Sequence, residues 1–308
     1  MSITKSIVTS SIVLMLFARG AAADPKLSLP WQLRPITLDN VAHGDTAAAV
    51  FVDANGNVDI ARTTALAVSY HLTERWAPTL RIGVAGNNAP GAALDGTSLA
   101  NPVAGVTYTR VMGHRRYALV ATTTIPIGTG GGDVADPRTV TTNAASATAR
   151  PTDEAMFAVN YLTETIGGDI AYVDHGLTVQ AEATLQQGIR VRGEHSASGT
   201  DAFRTRATIG AHAGAFLGRH VSLGADLLYQ RWLSHPTELD MTGAKAPIAD
   251  ADLGQLTVAA GVRGHFHLGG ATLHPGLSYT RGLGASRRGP MIVTNRTNAI
   301  ALDLTVLF

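Results

Sequence analysis

Three groups of residues in this chain have the types and spacing that chemistry requires. The first is His220 and Ser222, one residue apart. Alternate side chains of a strand share a face, so this pair sets an imidazole beside a hydroxyl, as a base stands beside its nucleophile. No acid or carboxamide stands at local spacing to orient the imidazole, and Gly218 marks a turn just before it, so a structural role is expected. The second is His265 and His267, which share a strand face as metal ligands would. Two histidines supply at most half of a zinc shell, and no third ligand follows from the spacing. The third is Gly128-Thr-Gly-Gly-Gly-Asp133, which has the glycine density of a phosphate loop. The Lys-Ser/Thr that completes such a loop is missing, and Pro137, Pro151 and the Thr/Ala run 139–149 describe a long external loop instead. Catalytic residues, metal sites and cofactors are therefore not expected.

A larger set of candidates is charged and lies on strands. Arg81, Glu182, Arg190, Arg192, Arg204, Arg206, Asp226, Arg263 and Asp303, with Asp169, share the polar face of their segments. Charges facing a pore set its selectivity through electrostatics and hydrogen bonding. The same residues could equally pair with one another and fill a closed interior, and both readings stand. The arginines gather near one end of two neighbouring strands, which hints at a vestibule that attracts anions.

The elements that would position these residues are read from alternation. In 176–192, Leu177, Val179, Ala181, Ala183, Leu185, Gln187, Ile189 and Val191 occupy one face, almost wholly apolar, and Thr178, Gln180, Glu182, Thr184, Gln186, Gly188, Arg190 and Arg192 the other. Segment 252–267 repeats the pattern. The last eleven residues, Asn298 to Phe308, put Ile300, Leu302, Leu304, Val306 and the terminal Phe308 on one face. Period-two reading gives about twelve such segments, at 45–53, 58–72, 77–88, 99–111, 114–127, 168–174, 176–192, 203–217, 219–232, 252–267, 270–283 and 298–308. Most reach the ~9–11 residues that a tilted strand needs to cross a bilayer. Tight connections alternate with long ones, at 89–98, 128–167, 193–202, 233–251 and 284–297; Ala54–Asn57 is the short exception among the latter. Tyr70, Tyr108, Tyr117, Tyr172, Phe266 and Phe308 share outward parity near the tight-turn ends, as an interfacial aromatic belt would. These features predict an all-β fold, a closed antiparallel transmembrane β-barrel of about 12 strands with both termini on the turn side.

Composition agrees. Charged residues are 15% of the chain, below the ~25% of soluble domains, and Gly is abundant at 33 residues. There is no cysteine, which excludes disulfides and a lipid anchor on cysteine. Lys5, the apolar stretch Ile7–Ala18 and Ala21-Ala22-Ala23 describe a cleaved signal peptide over 1–23. Its removal takes away Lys5 and Arg19 and no acid, so the net charge of +1 becomes −1. Such a balance gives nucleic acid nothing to bind. Residues 24–44, with Trp31, would form a periplasmic or lumen-plugging segment, and 45–308 the barrel.

The aromatic carboxy terminus resembles the assembly signal of bacterial outer-membrane proteins, with Phe308 in the signal position. Thr124-Ile-Pro-Ile-Gly-Thr129, at the end of a strand before a Gly-rich loop, is similar to a Pro-x-Gly element of the outer-membrane transporters associated with aromatic (phenol) degradation. The first resemblance implies the outer membrane of a diderm bacterium, with lipid, lipopolysaccharide and the barrel-assembly machinery as partners. The second implies passage of small, partly apolar molecules. The expected function is a channel or facilitated-diffusion transporter for small solutes, partly apolar or anionic, and no enzyme. Loop 128–167 is long enough that it could fold inward as a constriction, its role being open from the sequence, and within it Thr152–Leu162 reads as a short helix or an extension of the next strand. The alternatives are a closed structural or adhesive barrel and a lipid hydrolase using His220 and Ser222.

Overall fold

The computed structural model describes residues 36–52, 58–88, 95–133, 136–150, 153–193, 201–239, 245–247, 253–283 and 298–308. The expected signal peptide, the hairpin at Ala54–Asn57 and the loop 284–297 lie outside them. Twelve long strands follow in chain order: β1 (Val41–Val52), β2 (Val58–Ser69), β3 (Trp76–Asn88), β4 (Val103–Met112), β5 (Arg115–Thr124), β6 (Tyr161–Asp174), β7 (Leu177–Arg190), β8 (Phe203–Phe216), β9 (Val221–Trp232), β10 (Gly254–Gly264), β11 (Ala271–Leu283) and β12 (Asn298–Leu307). Each pairs antiparallel with its neighbour in sequence, and β12 returns to β1 with Asp303 opposite Asp45. The sheet is thus closed and leaves no long strand with an unpaired edge, as a hydrocarbon environment demands. Beyond Leu307, the ladder ends on a reciprocal pair of backbone bonds between Phe308 and Asn40, both 3.1 Å.

The alternation is inside out. Side chains turned away from the lumen are large, apolar and exposed, among them Leu66, Ile82, Leu119, Ile166, Ile209 and Leu302. Those turned inward include buried Thr63, Thr109, Gln180, Arg206, Gln230 and Arg263. A water-soluble protein could not leave an apolar surface of this extent uncovered. An outer wall facing lipid explains it, and the polar interior then needs hydrogen bonds and ion pairs in place of a greasy core.

Four boundaries differ from the sequence reading. The barrel begins at Val41 rather than residue 45. The segment read as 99–111 is interrupted at Asn101-Pro102, with a short strand Gly96–Leu99 against β3 and β4 starting at Val103. Strand β6 starts at Tyr161 rather than 168; Glu164 breaks the apolar pattern on its outward face, where it accepts a hydrogen bond from Thr123 Oγ1 of β5 at 2.7 Å. The Thr/Ala run taken as irregular loop forms helix α1 (Pro137–Ala149), followed by the single turn α2 (Glu154–Phe157).

Candidate functional site

The site is built by the connection between β5 and β6, which turns into the lumen. Gly128 makes the inward turn possible: a Cβ there would sit 2.8 Å from both Leu99 O and Asn101 Oδ1. Two of the backbone amides of the glycine run are taken by asparagine side chains, Gly128 N by Asn101 Oδ1 and Gly132 N by Asn160 Oδ1, each at 2.8 Å. Gly130 and Gly132 have φ of 82° and 99°, which only glycine adopts readily. The run is a shaped strap whose amides hold the loop, with no cradle for phosphate.

The first half of helix α1, Thr139 to Asn143, is poor helical sequence, so the helix depends on its start, its alanines and its packing. Asp136 caps it, its carboxylate accepting from Thr139 Oγ1 at 3.0 Å, and Pro137 opens it with a preset φ. Small residues let it lie close to the wall: Ala145 packs on Ala49, Ala61 and Ala299, from β1, β2 and β12. Asn143 ties it to the strap, accepting from Ser98 Oγ at 2.6 Å and donating to Thr129 O at 3.0 Å. After α1, four charges interlock. Arg150 binds Asp45 of β1 through both terminal nitrogens and Asp153 through Nε at 2.8 Å. Arg81 of β3 grips Asp153 with its two terminal nitrogens, one at 2.8 Å, and lies 3.7 Å from Asp45. Burial alone would raise the Asp153 carboxyl, but Arg81 and Arg150 outweigh it and hold the group below its ordinary value of 3.8. Burial would likewise lower the Arg150 guanidinium, and Asp153 and Asp45 keep it raised instead. Across the lumen, Glu154 of α2 binds Arg206 of β8, whose other terminal nitrogen donates to Gln230 at 2.7 Å. Met156 and Phe157 fill the space against Ala85 and Ala100. The loop is therefore anchored to opposite walls, as a constriction would be.

At the turn end, the lumen is floored. Ile36 is buried against inward-facing Ala118 and Ala171, and Arg116 donates to its carbonyl at 3.1 Å. Beside β10, Ser222 meets His265 Nε2 at 2.8 Å, and His265 stacks edge to face with His274 at 4.7 Å. The imidazole next to Ser222 is thus that of His265. His220 contacts the His265 carbonyl and stacks on Phe266, and His267 is exposed beside Thr272. Ser222 is fully buried and faces the lumen, away from lipid. Among the described residues no group of three His, Cys, Asp or Glu is placed to hold a metal.

Between loop and floor lies an internal cavity of about 280 Å³. Its lining includes Arg81, Glu182, Asp226, Arg263 and Asp303 from the sequence-based set. Arg263 of β10 reaches over β11 to Asp303 of β12, and Gly276 leaves the room, since a Cβ there would fall 2.2 Å from Asp303 Oδ2. Asp226 contacts Nδ1 of His212 on the next strand. The rim arginines serve the loop and its surroundings. Arg192 donates to the carbonyls of Val159, at 2.9 Å, and Gly128. Arg204 lies over the Tyr161 ring at 4.6 Å, and Arg190 pairs in register with Tyr161. Asp169 accepts from Gln180 at 3.3 Å. The six aromatics, Tyr70, Tyr108, Tyr117, Tyr172, Phe266 and Phe308, all face outward at the turn end, joined by Trp76 packed on Tyr108 at 5.0 Å. Sequence reasoning missed Asp45, Arg150, Asp153, Glu154 and His212. Arg150, Asp153 and Glu154 had one sequence signal, Arg150-Pro-Thr-Asp-Glu154, a burst of charge after an uncharged run; Asp45 and His212 had none.

No family model and no curated protein matches the chain. Its fold is shared with solved structures: an outer-membrane channel from Pseudomonas putida F1 has a TM-score of 0.58 at 12% identity, covering 92% of this chain and 100% of that one. The NanC porin has a TM-score of 0.50 at 9% identity, covering 87% of this chain and 98% of its own. The class is thereby fixed as a closed antiparallel β-barrel of the outer-membrane type. At these identities the likeness extends to the fold alone.

Proposed function

We propose that this protein is an outer-membrane channel through which small solutes diffuse, with the inserted loop as its constriction. The observation that carries the reading is the polar, charged cavity inside the barrel, closed over by a loop that is tied to the wall by ion pairs rather than continuous with it. A barrel serving only as scaffold or adhesin would need no such cavity, and a lipid hydrolase would need its hydroxyl facing lipid. In this reading residues 1–23 direct export and are removed, and 24–44 is the periplasmic or lumen-plugging segment, whose described part starts at Ile36 on the floor. The outward aromatics sit at headgroup depth, Phe308 guides assembly by the barrel-assembly machinery, and lipopolysaccharide surrounds the loop end. The fold neighbours, one titled an outer membrane channel and the other a porin, support this reading, and the Pro126-Ile-Gly128 rim element adds small, partly apolar molecules to the solutes admitted.

Single-channel recording from the purified chain in planar bilayers tests it. Discrete current steps that scale with salt are expected. A folded barrel, shown by its heat-shifted migration in gels, that passes no current would refute it.

A further inference from the structure

The cavity has two unlike walls. On one, every arginine is matched: Arg81 and Arg150 with Asp45 and Asp153, and Arg263 with Asp303. On the other, strands β7, β8 and β9 bring Gln180, His212 and Asp226 into one row, Gln180 opposite His212 and His212 opposite Asp226. Glu182 stands on the same wall, and with Asp226 it gives the lining five carboxylates against three arginines.

The hydrogen bonds within this row settle which atoms it leaves over. Gln180 Nε2 donates to Asp169, so the amide's Oε1 is turned the other way. His212 Nδ1 is engaged by Asp226 Oδ1, which favours the tautomer whose Nε2 is a bare acceptor. His212 Nε2, Gln180 Oε1 and Asp226 Oδ2 then have no partner, although His212 is 7% exposed and Gln180 4%. Buried acceptors without donors are costly, and all three belong to side chains that line the cavity. They ask for donors from outside the chain. An ammonium group has three donors, no acceptor and a positive charge, which suits a wall that carries Asp226 and Glu182. Among the described residues no cluster fit for a metal ion competes with it. The rest of the lining is mainly Ala, Val and Thr with Leu228 and Met156, suited to a short apolar stem, beside Ser69, Gln186, His43 and His71, and about 280 Å³ holds only a small molecule.

We propose that the Gln180–His212–Asp226 row, with Glu182, is a recognition site for small amines, solutes that carry an ammonium group on a short hydrocarbon stem. The assignment rests on the channel reading and names what that channel prefers.

The test is the reversal potential under gradients of n-butylammonium chloride and of sodium butyrate, solutes of equal size and opposite charge. Wild type should prefer butylammonium to butyrate at least about threefold, as fixed acids in a narrow lumen dictate. Glu182→Gln with Asp226→Asn should bring the ratio to near one while current persists, and Asp226→Glu should keep it. Gln180→Leu, which removes an acceptor and no charge, should weaken butylammonium relative to potassium. Open channels with no preference for the ammonium, or a preference unchanged in the double variant, would overturn the amine site and leave the channel standing. Absence of current in a folded barrel would remove the channel reading and this site with it.

Discussion

Asp153→Asn is the most exacting perturbation of the loop. Its carboxylate is 3% exposed and neutralises two guanidiniums at once, Arg81 through a two-point contact and Arg150 through Nε at 2.8 Å. Asparagine keeps the shape and deletes the charge. Removing one partner of a buried ion pair costs about 3–5 kcal/mol, because the charge left behind is uncompensated. Here the cost falls at about 3 kcal/mol, since Arg150 keeps both contacts to Asp45, and Arg81 still has Asp45 at 3.7 Å. The loss is borne by the docked loop alone, because no strand pairing involves Asp153. At 1.4 kcal/mol per tenfold, the ratio of docked to undocked loop should fall about a hundredfold. In planar bilayers the variant should show larger and noisier steps than wild type, with the heat-shifted migration of the barrel unchanged. Pairing the change with Arg81→Gln rebalances the charge and should recover most of the quiet state, since residues in one network do not act additively. A conductance distribution identical to wild type would refute the constriction, and loss of the folded barrel would refute the assignment of these charges to the loop.

Acid should mimic that substitution. Asp153 has a depressed value when docked, so its stabilisation is present above the ordinary carboxyl value of 3.8 and is lost as pH falls below it; conductance should be flat from about pH 5 to 8 and rise under stronger acid. Arg206→Glu would set a carboxylate against Glu154 inside the lumen and should expose residues 150–157 to protease, whereas adding Glu154→Arg should restore protection. Gly276→Ala puts a methyl 2.2 Å from Asp303 Oδ2, and forcing Arg263 and Asp303 apart should destabilise the barrel by about 1–3 kcal/mol in urea titrations, with β11 pairing otherwise intact. Leu302→Arg, on the lipid face and 62% exposed, should cost about 2–4 kcal/mol and reduce the folded fraction in vesicles, while an equally exposed surface of a soluble protein would tolerate it.

The wall of this molecule was legible because its signal is local. A strand's two faces differ at every second residue, so Leu177 to Val191 declares the lipid side without knowledge of any partner, and twelve such segments with alternating connections leave closure as the one way to satisfy their edges. The inward parity of Arg81, Glu182, Arg206, Arg263 and Asp303 came from the same rule. Helix α1 escaped because Thr-Val-Thr-Thr-Asn is poor helical sequence, stabilised by alanines of β1, β2 and β12 far along the chain. Its start was nonetheless written in Asp136-Pro137, a cap followed by a first-turn proline, which a reading for loop composition passed over.

What the lumen does with its charges was not legible, and the reason is geometric. Parity tells which face a residue takes but not its partner, and here partners are distant: Arg81 finds Asp153 72 residues away, and Arg150 finds Asp45 105 residues away. The arginines at the loop end hinted at a positive vestibule by count. In the folded chain Arg206 is held by Glu154 and Gln230, Arg192 by two backbone carbonyls, and Arg204 lies on Tyr161, so their charge secures the loop and its surroundings. In the proposed channel, sign and selectivity would then pass to the groups facing the cavity, where β7 and β9 supply acids. The same residue types, counted along the sequence or placed around the lumen, argue for opposite ions, and the proposal follows the placement because electrostatic preference is set by the groups that face the solute.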